Sequence, residues 1–287
     1  MDAVIAYVNP MEETWRVQYD TIVGGPAVNP MRFEDYGTLK YVLRGIDSCM
    51  PFIDRVFLIV SSVEQIPEYI DKAKIKIITH EEFIPKEFLP TFNSCTIEMF
   101  LWNISSLSER FIYFNDDMIP IREMQEIEFF NFGKPCIKFR KNESMKGRQI
   151  VEILNNCNIM ASLLFNKFPI KTLTPLHTAT PYLKSIYRQA YFSFEDEIKN
   201  RITKVRSNKN ISQYFFSNYL FYSENYFNYA PEFQYVFPTD GEKELVSDIN
   251  DNSSKIICVN GIENAELRNT LIPILNNFLK NKCKYEL

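Results

Sequence analysis

Short apolar runs alternate with segments of helical period through the first 120 residues of the chain. Each run is rich in Val, Ile, Leu, Phe or Tyr and stops at a polar residue, as strands buried on both faces do. The predicted strands are residues 3–8, 55–60, 75–79 and 111–115. The predicted helices are residues 34–49, 94–107 (with Ser94 as candidate N-cap) and a short segment at 66–70. This alternation predicts a parallel, doubly wound α/β sheet.

The second half of the chain is less regular. Residues 150–230 are rich in Tyr and Phe and are predicted to be mainly helical, whereas residues 231–252 have the composition of a loop with β character. A strand at 255–260 and a helix at 265–282 follow. Residues 11–31 contain a Gly-Gly-Pro sequence that predicts a flexible loop. We therefore predict an α/β fold with a doubly wound, mostly parallel sheet and a largely helical insertion or subdomain in the C-terminal half.

Composition and charge exclude several classes of protein. The net charge of −4 provides no basic field for nucleic acid. No apolar stretch reaches the roughly 18 residues that span a bilayer, and the Met-Asp-Ala-Val start lacks the basic residues of a secretory signal. Two histidines, His80 and His177, are too few for a His-rich metal site. Six scattered cysteines without a Cys-x-x-Cys pair are expected to be buried free thiols, so we predict a cytoplasmic protein.

Two adjacent carboxylates, Asp116 and Asp117, follow the fourth predicted strand. Open α/β sheets bind ligands at the carboxyl ends of their strands. In an extended chain the two side chains would point to opposite sides, so one could hold a hard cation and the other a loop or a substrate hydroxyl. Mg²⁺ takes one or two carboxylates and leaves room for phosphate oxygens. The alternative is an Asx turn with a solvated second acid.

Four blocks of the sequence resemble the Stealth family, in the family's order. They are Asp2 to Trp15; Arg32 to the Asn115-Asp116-Asp117 strand; His177-Thr-Ala-Thr-Pro181 with Arg206-Ser207; and Lys255-Ile-Ile-Cys-Val-Asn260. The second block is long and specific, and it includes Thr79-His80-Glu81 and Leu89-Pro-Thr-Phe-Asn-Ser94. The family includes bacterial capsular-polysaccharide phosphotransferases and the catalytic part of N-acetylglucosamine-1-phosphotransferase.

The resemblance implies an enzyme that transfers a hexose or N-acetylhexosamine 1-phosphate from a nucleotide sugar, such as UDP-GlcNAc, with Mg²⁺ or Mn²⁺ as cofactor. The acceptor would be a hydroxyl of a glycan or lipid-linked saccharide, and the product a phosphodiester of capsule or surface polysaccharide. One catalytic domain over 1–287 is implied, with a nucleotide-sugar-binding half at 1–125, a mainly helical acceptor side at 126–250 and a returning strand and helix at 251–287. Two alternatives are kept for the aromatic helices of 160–230: peripheral association with a membrane, or an ordinary hydrophobic core. The oligomeric state is not predicted.

The resemblance also implies roles for individual residues. Asp117 is the first candidate for a cation ligand and Asp116 the second. Arg206 is expected to clamp phosphate oxygens in a bidentate way. His177 is a candidate general base or a hydrogen-bond donor to phosphate, and Glu98 is the other candidate base. The predicted contacts to the nucleotide sugar are Asn9, Arg32, Asn93 and Ser94.

Several of these residues have a structural alternative. Glu98 could lie on the solvated face of an amphipathic helix, and Arg206 could belong to a basic helix end. Asn9 could simply terminate the first strand. A buried set of ion pairs is the alternative for Arg32, Asp35 and Arg44.

Two departures from the family pattern concern the cation and the donor. The fourth block continues as Asn260-Gly261, where the family usually has Asn-Asp, so Glu263 or Asp251 would have to replace the acid or the Asp pair would act alone. The first block has Ala6-Tyr7 where a Trp is common. Two other functions are therefore kept: a metal-dependent nucleotide-sugar glycosyltransferase and a non-catalytic glycan-binding member.

Overall fold

The computed structural model describes residues 1–24, 33, 37–141, 149–171, 173–236, 247, 253–259 and 265–287. Contacts divide the chain into two compact units. The first consists of Met1–Ile78, Ile112–Glu128 and Pro231–Leu287, and the second of Thr79–Phe111 and Phe129–Ala230. Each unit is therefore assembled from stretches that are separated in the sequence. The two units do not coincide with the predicted segments 1–125, 126–250 and 251–287. The single catalytic domain over 1–287 stays a prediction.

Helices and strands alternate in the first part of the chain, as predicted. The helices are α1 (Glu13–Val23), α2 (Thr38–Cys49), α3 (Ser94–Met99), α4 (Gln149–Leu164), α5 (Lys184–Ser193), α6 (Glu195–Arg201), α7 (Tyr214–Tyr222) and α8 (Ala265–Phe278). The strands are β1 (Asp2–Ala6), β2 (Arg55–Val60), β3 (Lys76–Thr79), β4 (Arg110–Asn115), β5 (Met118–Pro120), β6 (Phe130–Asn131), β7 (Lys134–Pro135), β8 (Phe139–Lys141), β9 (Leu173–Pro175), β10 (Thr180–Leu183), β11 (Phe233–Val236) and β12 (Ile256–Val259).

The first unit contains the predicted α/β sheet. Its strands are neighbours in the order β4-β1-β2-β3, and β1 pairs with β2 in parallel register from Asp2 opposite Arg55 to Ala6 opposite Ile59. β2 is fully buried from Val56 to Val60, as expected for a strand covered on both faces. A second sheet has the order β11-β12-β5, with β11 parallel and β5 antiparallel to β12. The α/β fold class with mostly parallel strands is confirmed.

Close backbone packing joins α2 to β5 in the first unit. A Cβ atom on Gly45 would lie only 2.2 Å from the carbonyl oxygen of Pro120, so only glycine allows this approach. On the same helix, Arg44 is buried and makes a bidentate ion pair with Glu286, with Nε–Oε1 and Nη2–Oε2 distances of 2.6 and 2.9 Å. Arg44 also donates to the carbonyl of Leu279. Arg44 is thus part of a buried ion pair, but its partner Glu286 does not belong to the predicted set of Arg32, Asp35 and Arg44. Arg32 and Asp35 lie outside the described residues, so that set stays a prediction.

The second unit is mainly helical, with short two-stranded ladders. β6 pairs with β7 and β8 with β9, both antiparallel. Its core is aromatic: Tyr187 stacks on Phe216 with ring centroids 3.4 Å apart, and Tyr182 and Tyr191 are fully buried. All six cysteines of the chain are free and buried, as predicted. Among the described helices none has the length and apolar character needed to cross a membrane.

Four local predictions were wrong. Residues 13–23 form α1, not a loop, because Glu12 caps the helix through the N–H groups of Thr14 and Trp15; residues 25–31 lie outside the described part. The helix predicted at 66–70 is absent, and a 3₁₀ turn forms earlier, at Val63–Gln65. Pro67 favours extended backbone at the residue before it, and Ile66 has φ −76° and ψ 123°.

The remaining two wrong predictions concern the helix at 94–107. It ends at Met99 and is followed by a 3₁₀ turn at Leu101–Asn103. Its N-cap is Asn93, not Ser94, because the Asn93 side chain accepts the N–H of Cys95. Ser94 is consequently the first helical residue.

Candidate functional site

The predicted acidic pair lies in a turn of the first unit. Asp116 and Asp117 occupy the two positions between β4 and β5, so the prediction of an extended chain at these residues was wrong. The turn is anchored because the main-chain oxygen of Asp117 accepts the N–H of Val259 on β12. Asp116 and Asp117 are partly exposed as residues, with Oδ1 of Asp117 buried, and β4 before them is buried through Phe114.

A cysteine lies beside this acidic pair. Cys258 on β12 is fully buried, and its pKa is held well above the ordinary value by burial first, and then by the charge of Asp117, a hydrogen bond with it and the charge of Asp116. The thiol is therefore neutral and donates to the Asp117 carboxylate. Sequence reasoning classified Cys258 only as a buried thiol. The one available indication was its place in the fourth family block.

The acidic pair fits a hard divalent cation. Mg²⁺ and Mn²⁺ prefer carboxylate oxygens, and Mg²⁺ at phosphate sites needs only one or two of them beside the substrate. A neutral thiol is no competing ligand for such a cation. Within the described ranges, no group of three or more His, Cys, Asp and Glu side chains is placed to hold a metal. Asn260, Gly261, Glu263 and Asp251 lie outside those ranges, so cation binding stays a prediction that rests on Asp116 and Asp117.

The loop after β1 holds Asn9 in a polar network of the first unit. The Gln65 side chain accepts the N–H of Asn9 at 2.6 Å and donates to its carbonyl at 3.1 Å. The Asn9 side-chain oxygen accepts the N–H of Met11, which forms an Asx turn. Gln65 is fully buried, so this loop has a defined shape at the end of the strand. Arg32, the other predicted donor contact of this unit, lies outside the described residues.

In the second unit, Asn93 is the centre of a buried hydrogen-bond network. Its side-chain nitrogen donates to the carbonyl of Thr203 and to the side chain of Asn210, both at 3.0 Å. Its oxygen accepts the N–H of Cys95. Because these bonds engage both ends of a fully buried amide, they favour a role in positioning α3. Contact of Asn93 with the donor stays a prediction.

Ser94 and Arg206 are brought together by the fold. Nη2 of Arg206 donates to the hydroxyl of Ser94 at 2.6 Å. The Nε of Arg206 is buried and has no hydrogen-bond partner among the residues that the structure describes. Buried N–H groups without a partner are rare, and a phosphate oxygen would satisfy this one. Arg206 is partly exposed and follows α6 by five residues, so it does not belong to that helix end.

His177 contacts Tyr214, the first residue of α7, through its ring nitrogen Nδ1. Desolvation first, and then the positive charges of Arg140 and Arg206, lower the pKa of His177 to about 4. The imidazole is therefore neutral at pH 7. Sequence reasoning missed Tyr214, which is one of many aromatic residues in its segment. Arg140 is exposed, yet its charge acts on His177.

Glu98 is buried, with 6% of its surface exposed, so the solvated helix face considered for it was wrong. Its Oε2 accepts the N–H of Gln213 at the start of α7, at 2.8 Å. The positive end of a helix dipole favours a carboxylate at this place. The hydroxyl of Tyr187 donates to the Glu98 carbonyl at 2.6 Å. Glu98 thus fixes α3 to α7, and its role as a base stays a prediction.

The predicted residues fall into two groups. Asn9, Asp116 and Asp117 belong to the first unit. The second unit holds the rest of the described set: Asn93, Ser94, Glu98, His177 and Arg206. Within the second unit, direct contacts join Arg206 to Ser94, and the charge of Arg206 acts on His177.

A family model and several known proteins that match this chain all indicate the same family. The family model for Stealth protein CR2, conserved region 2, matches residues 32–136. A capsular polysaccharide phosphotransferase of Neisseria meningitidis serogroup B is 33% identical over 256 residues, covering 83% of this chain and 68% of the relative. A protein of the same name from Actinobacillus suis is 33% identical over 236 residues, covering 77% of this chain and 62% of the relative. An exopolysaccharide phosphotransferase of Lactiplantibacillus plantarum is 27% identical over 326 residues, covering 100% of this chain and 96% of the relative.

The chain matches only part of the length of two of these relatives. The chain spans less than two thirds of the Actinobacillus suis relative and 68% of the Neisseria relative. The acidic turn, Asn93, Ser94 and Glu98 lie inside the matched conserved region, and His177 and Arg206 lie beyond its end at residue 136.

Proposed function

Because the chain belongs to the Stealth family, we propose that it is a phosphotransferase of capsule or surface polysaccharide synthesis. It would transfer a hexose or N-acetylhexosamine 1-phosphate from a nucleotide sugar to a hydroxyl of a glycan or lipid-linked saccharide. We also propose a cytoplasmic location. Peripheral membrane contact and the oligomeric state are not assigned. Relatives with capsular polysaccharide phosphotransferase activity in their names, at 33% identity, support the reaction class.

The observation that carries the proposal is the buried Nε of Arg206, which has no partner within the described chain. The hydroxyl of Ser94 orients the Arg206 guanidinium. The positive charges of Arg206 and Arg140 both act on the imidazole of His177. Guanidinium groups bind phosphate oxygens in pairs of parallel hydrogen bonds, which Lys cannot do. This part of the second unit therefore has the chemistry of a site for a phosphate group.

The reaction itself is an in-line displacement at phosphorus. The acceptor hydroxyl oxygen forms a bond to the β-phosphorus of the nucleotide sugar, and the bond from that phosphorus to the bridging oxygen breaks. A nucleoside monophosphate leaves with the electron pair, and the hydroxyl proton passes to a base. The protein must position the acceptor, neutralise the phosphate oxygens and accept this proton.

We assign charge neutralisation in the second unit to Arg206 and Arg140. In the first unit we assign cation binding to Asp117 and Asp116, because their turn is anchored to β12 and lies beside a neutral thiol. A divalent cation bound there would supply charge compensation for the diphosphate. Asn9 and Arg32 remain the proposed donor contacts of that unit.

The proton acceptor is assigned to His177 or Glu98. The imidazole of His177 is neutral at pH 7 and can accept a proton, and it is partly exposed. Glu98 is buried and already accepts a main-chain hydrogen bond from Gln213. These environments favour His177 as base and Glu98 as an anchor of the helices.

Nucleotide release tests the proposal. The protein would be incubated with UDP- and GDP-sugars, Mg²⁺ or Mn²⁺ and a pool of glycan acceptors, and the released nucleotide would be identified. A nucleoside monophosphate that requires both acceptor and metal is expected. A nucleoside diphosphate would instead show glycosyl transfer, with attack at the anomeric carbon. No release with any donor would favour the non-catalytic glycan-binding alternative.

The acidic turn provides the first mutational prediction. Asp117→Asn should lower turnover by about 10²-fold or more, because it removes a cation ligand's charge, while the unfolding transition changes little. Asp20→Asn, on the exposed part of α1 in the same unit, is the matched control and should keep full turnover. Wild-type turnover of Asp117→Asn over a range of Mg²⁺ concentrations would remove the metal assignment.

A further inference from the structure

Two phenylalanine side chains of the second unit project almost completely into solvent. Phe132 is 92% exposed in the turn between β6 and β7, and Phe168 is 94% exposed in the segment between α4 and β9. By contrast Phe165, three residues before Phe168, packs against the ring of Tyr219 with the centroids 5.1 Å apart. Single exposed apolar residues are common on protein surfaces, so these two become informative through their backbone and their neighbours.

Phe132 is held in a backbone conformation that phenylalanine rarely adopts. β6 and β7 are joined by the two-residue turn Phe132-Gly133, in which both residues have positive φ, of 51° and 76°. Such turns favour Asn, Asp or Gly, because the Cβ of other residues crowds the backbone in this region. Folding therefore gains nothing from Phe132, whose ring is exposed and whose backbone is strained. This position indicates a function outside the packing of the second unit.

The segments that carry the two exposed rings are joined through the loop after α7. Lys134, the first residue of β7, donates from Nζ to the main-chain oxygen of Glu224 at 3.2 Å. Lys167, immediately before Phe168, donates to the carboxylate of Glu224 at 2.8 Å. Because both lysines bind the same residue, the β6–β7 hairpin and the segment after α4 lie side by side. The two rings thus belong to one surface.

The end of α4 extends the apolar part of this surface. Ile159 and Leu163 are exposed and lie four residues apart, which places them on the same face of the helix. Ile170, beyond the end of the helix, is exposed as well. We call residues 131–134, 159, 163 and 165–171 together the docking surface.

The charge of the docking surface is opposite in sign to that of the whole chain. It contains three exposed lysines, Lys134, Lys167 and Lys171, and the loop that joins its parts contributes one carboxylate, Glu224. The net charge of the chain is −4. A local excess of ammonium groups around exposed apolar side chains is complementary to a layer of anionic lipid headgroups. The apolar stems of lysine can follow the rings into such a layer while the ammonium groups stay in water.

We propose that the docking surface binds to a bilayer that contains anionic lipid and inserts the rings of Phe132 and Phe168 into its interface. The rings would lie at the boundary of headgroups and acyl chains, with the lysine ammonium groups among the lipid phosphates. Two protruding rings fit a bilayer better than a second protein, because protein interfaces are matched in shape over a broad area whereas lipids adapt to isolated side chains. This membrane contact is additional to the proposed reaction and does not depend on it.

Co-sedimentation of the full chain with vesicles tests the proposal. One set of vesicles contains equal parts of phosphatidylglycerol and phosphatidylcholine, and the other contains phosphatidylcholine alone. We expect the protein to bind the anionic vesicles about 10-fold more strongly, and to lose most of that difference in about 0.5 M NaCl, because salt screens the lysine charges.

The variant Phe132→Asn/Phe168→Ser removes both rings. It should lower the partition coefficient on anionic vesicles by about 10- to 100-fold, because the apolar area that enters the bilayer is lost. Phe132→Asn alone should also raise the urea midpoint of unfolding, since Asn tolerates positive φ. Loss of membrane binding together with a gain in stability distinguishes a docking residue from a structural one.

Phe192→Ser is the matched control. Phe192 lies on α5 in the same unit and is 47% exposed, but its ring lies beside Trp102 with the centroids 5.0 Å apart. This substitution removes an exposed phenylalanine outside the docking surface, and it should leave vesicle binding unchanged.

Three results would overturn the proposal. The first is failure of the wild-type protein to bind anionic vesicles at low salt, which decides the matter even if the double variant does not fold. The second is equal binding of the wild type and the double variant. The third is a lower urea midpoint for Phe132→Asn, which would make Phe132 a structural residue. Self-association that the double variant loses, without vesicle binding, would assign the surface to a contact between copies of the chain. Absence of nucleotide release would count against the proposed function alone, because vesicle binding does not depend on turnover.

Discussion

Gly45 allows α2 to touch β5, and its replacement gives a test with an unusual sign. In an ordinary helix Gly→Ala stabilises by about 0.5–1 kcal/mol. At position 45 the new Cβ would meet the Pro120 carbonyl oxygen at 2.2 Å and its Cδ at 2.9 Å. Gly45→Ala should therefore lower the free energy of unfolding by about 1–3 kcal/mol, as overpacking does, measured by urea denaturation.

Ser48→Ala, one turn along the same helix, is the control for this substitution. It removes a hydroxyl that bonds back to the carbonyl of Arg44 and meets no steric limit, so the unfolding midpoint should move little. An increase in stability for Gly45→Ala would contradict the packing between α2 and β5.

At the residue scale, sequence reasoning found the charged groups but not their neutral partners. Asp116 and Asp117 were visible because two acids after an apolar run are unusual. Cys258 and Tyr214 were not, because a cysteine in an apolar strand and a tyrosine in an aromatic helix look like ordinary core residues. Their contacts with Asp117 and His177 join positions more than 30 residues apart, and no local pattern records such a pairing.

At the scale of elements, a buried ion pair attaches the segment after α8 to α2. Arg44→Met would leave the Glu286 carboxylate buried without its main partner, and should destabilise the protein by about 3–5 kcal/mol. The double variant Arg44→Met/Glu286→Gln should recover part of this loss, because it leaves no unpaired charge. Both would be measured by urea denaturation at pH 7.

Lys40→Met is the matched control for Arg44→Met. Lys40 reaches the same carboxylate at 3.7 Å but is half-exposed, and exposed pairs contribute about 0–1 kcal/mol. An equal effect of the two substitutions would mean that burial of the Arg44 guanidinium has no energetic importance.

Elements were predictable where the pattern was strong and local. The strands at 55–60 and 111–115 were placed correctly because a buried strand is a continuous apolar run. Helix ends were not, because they depend on single residues: Glu12 starts α1 with its side chain, and Pro67 prevents the helix expected at 66–70. The early end of α3 at Met99 leaves the predicted helix at 94–107 less than half formed, and the apolar spacing gave no sign of it.

For the whole molecule, the lowered pKa values of its two histidines predict lability in mild acid. Burial lowers the pKa of His80 to about 4, against about 6.5 in the unfolded chain. Between pH 6.5 and pH 4 the unfolded chain therefore binds more protons than the folded protein. The contribution of His80 to the free energy of unfolding is fully present above pH 6.5 and is lost as the pH falls towards 4. The loss from His80 should reach about 3 kcal/mol at pH 4, since one pKa unit corresponds to about 1.4 kcal/mol.

Thermal or urea unfolding at a series of pH values from 7 to 4.5 would measure this loss. His80→Phe keeps an aromatic side chain of similar volume and should show a shallower fall in this range. His177 has a pKa lowered in the same direction and should account for part of the remaining slope. Identical pH dependence of wild type and His80→Phe would contradict a neutral buried imidazole.

The two units were beyond prediction from sequence. Linkers rich in Gly, Ser or Pro are the usual sign of a domain boundary, and here the chain passes between units at residues 78–79, 111–112, 128–129 and 230–231 without one. Two of these passages fall inside β3 and β4. Regular strands continue across the boundary, so neither composition nor periodicity changes there.

This interleaving has a consequence for inheritance. The first unit is encoded by three separate stretches of the gene and the second by two. The conserved region at 32–136 contains part of each unit and the whole of neither. A single recombination event between two related genes would therefore produce a protein whose units combine segments from both parents. New specificities are expected to arise in this chain by point substitution within a unit, because exchange of a complete unit would require several crossovers at once.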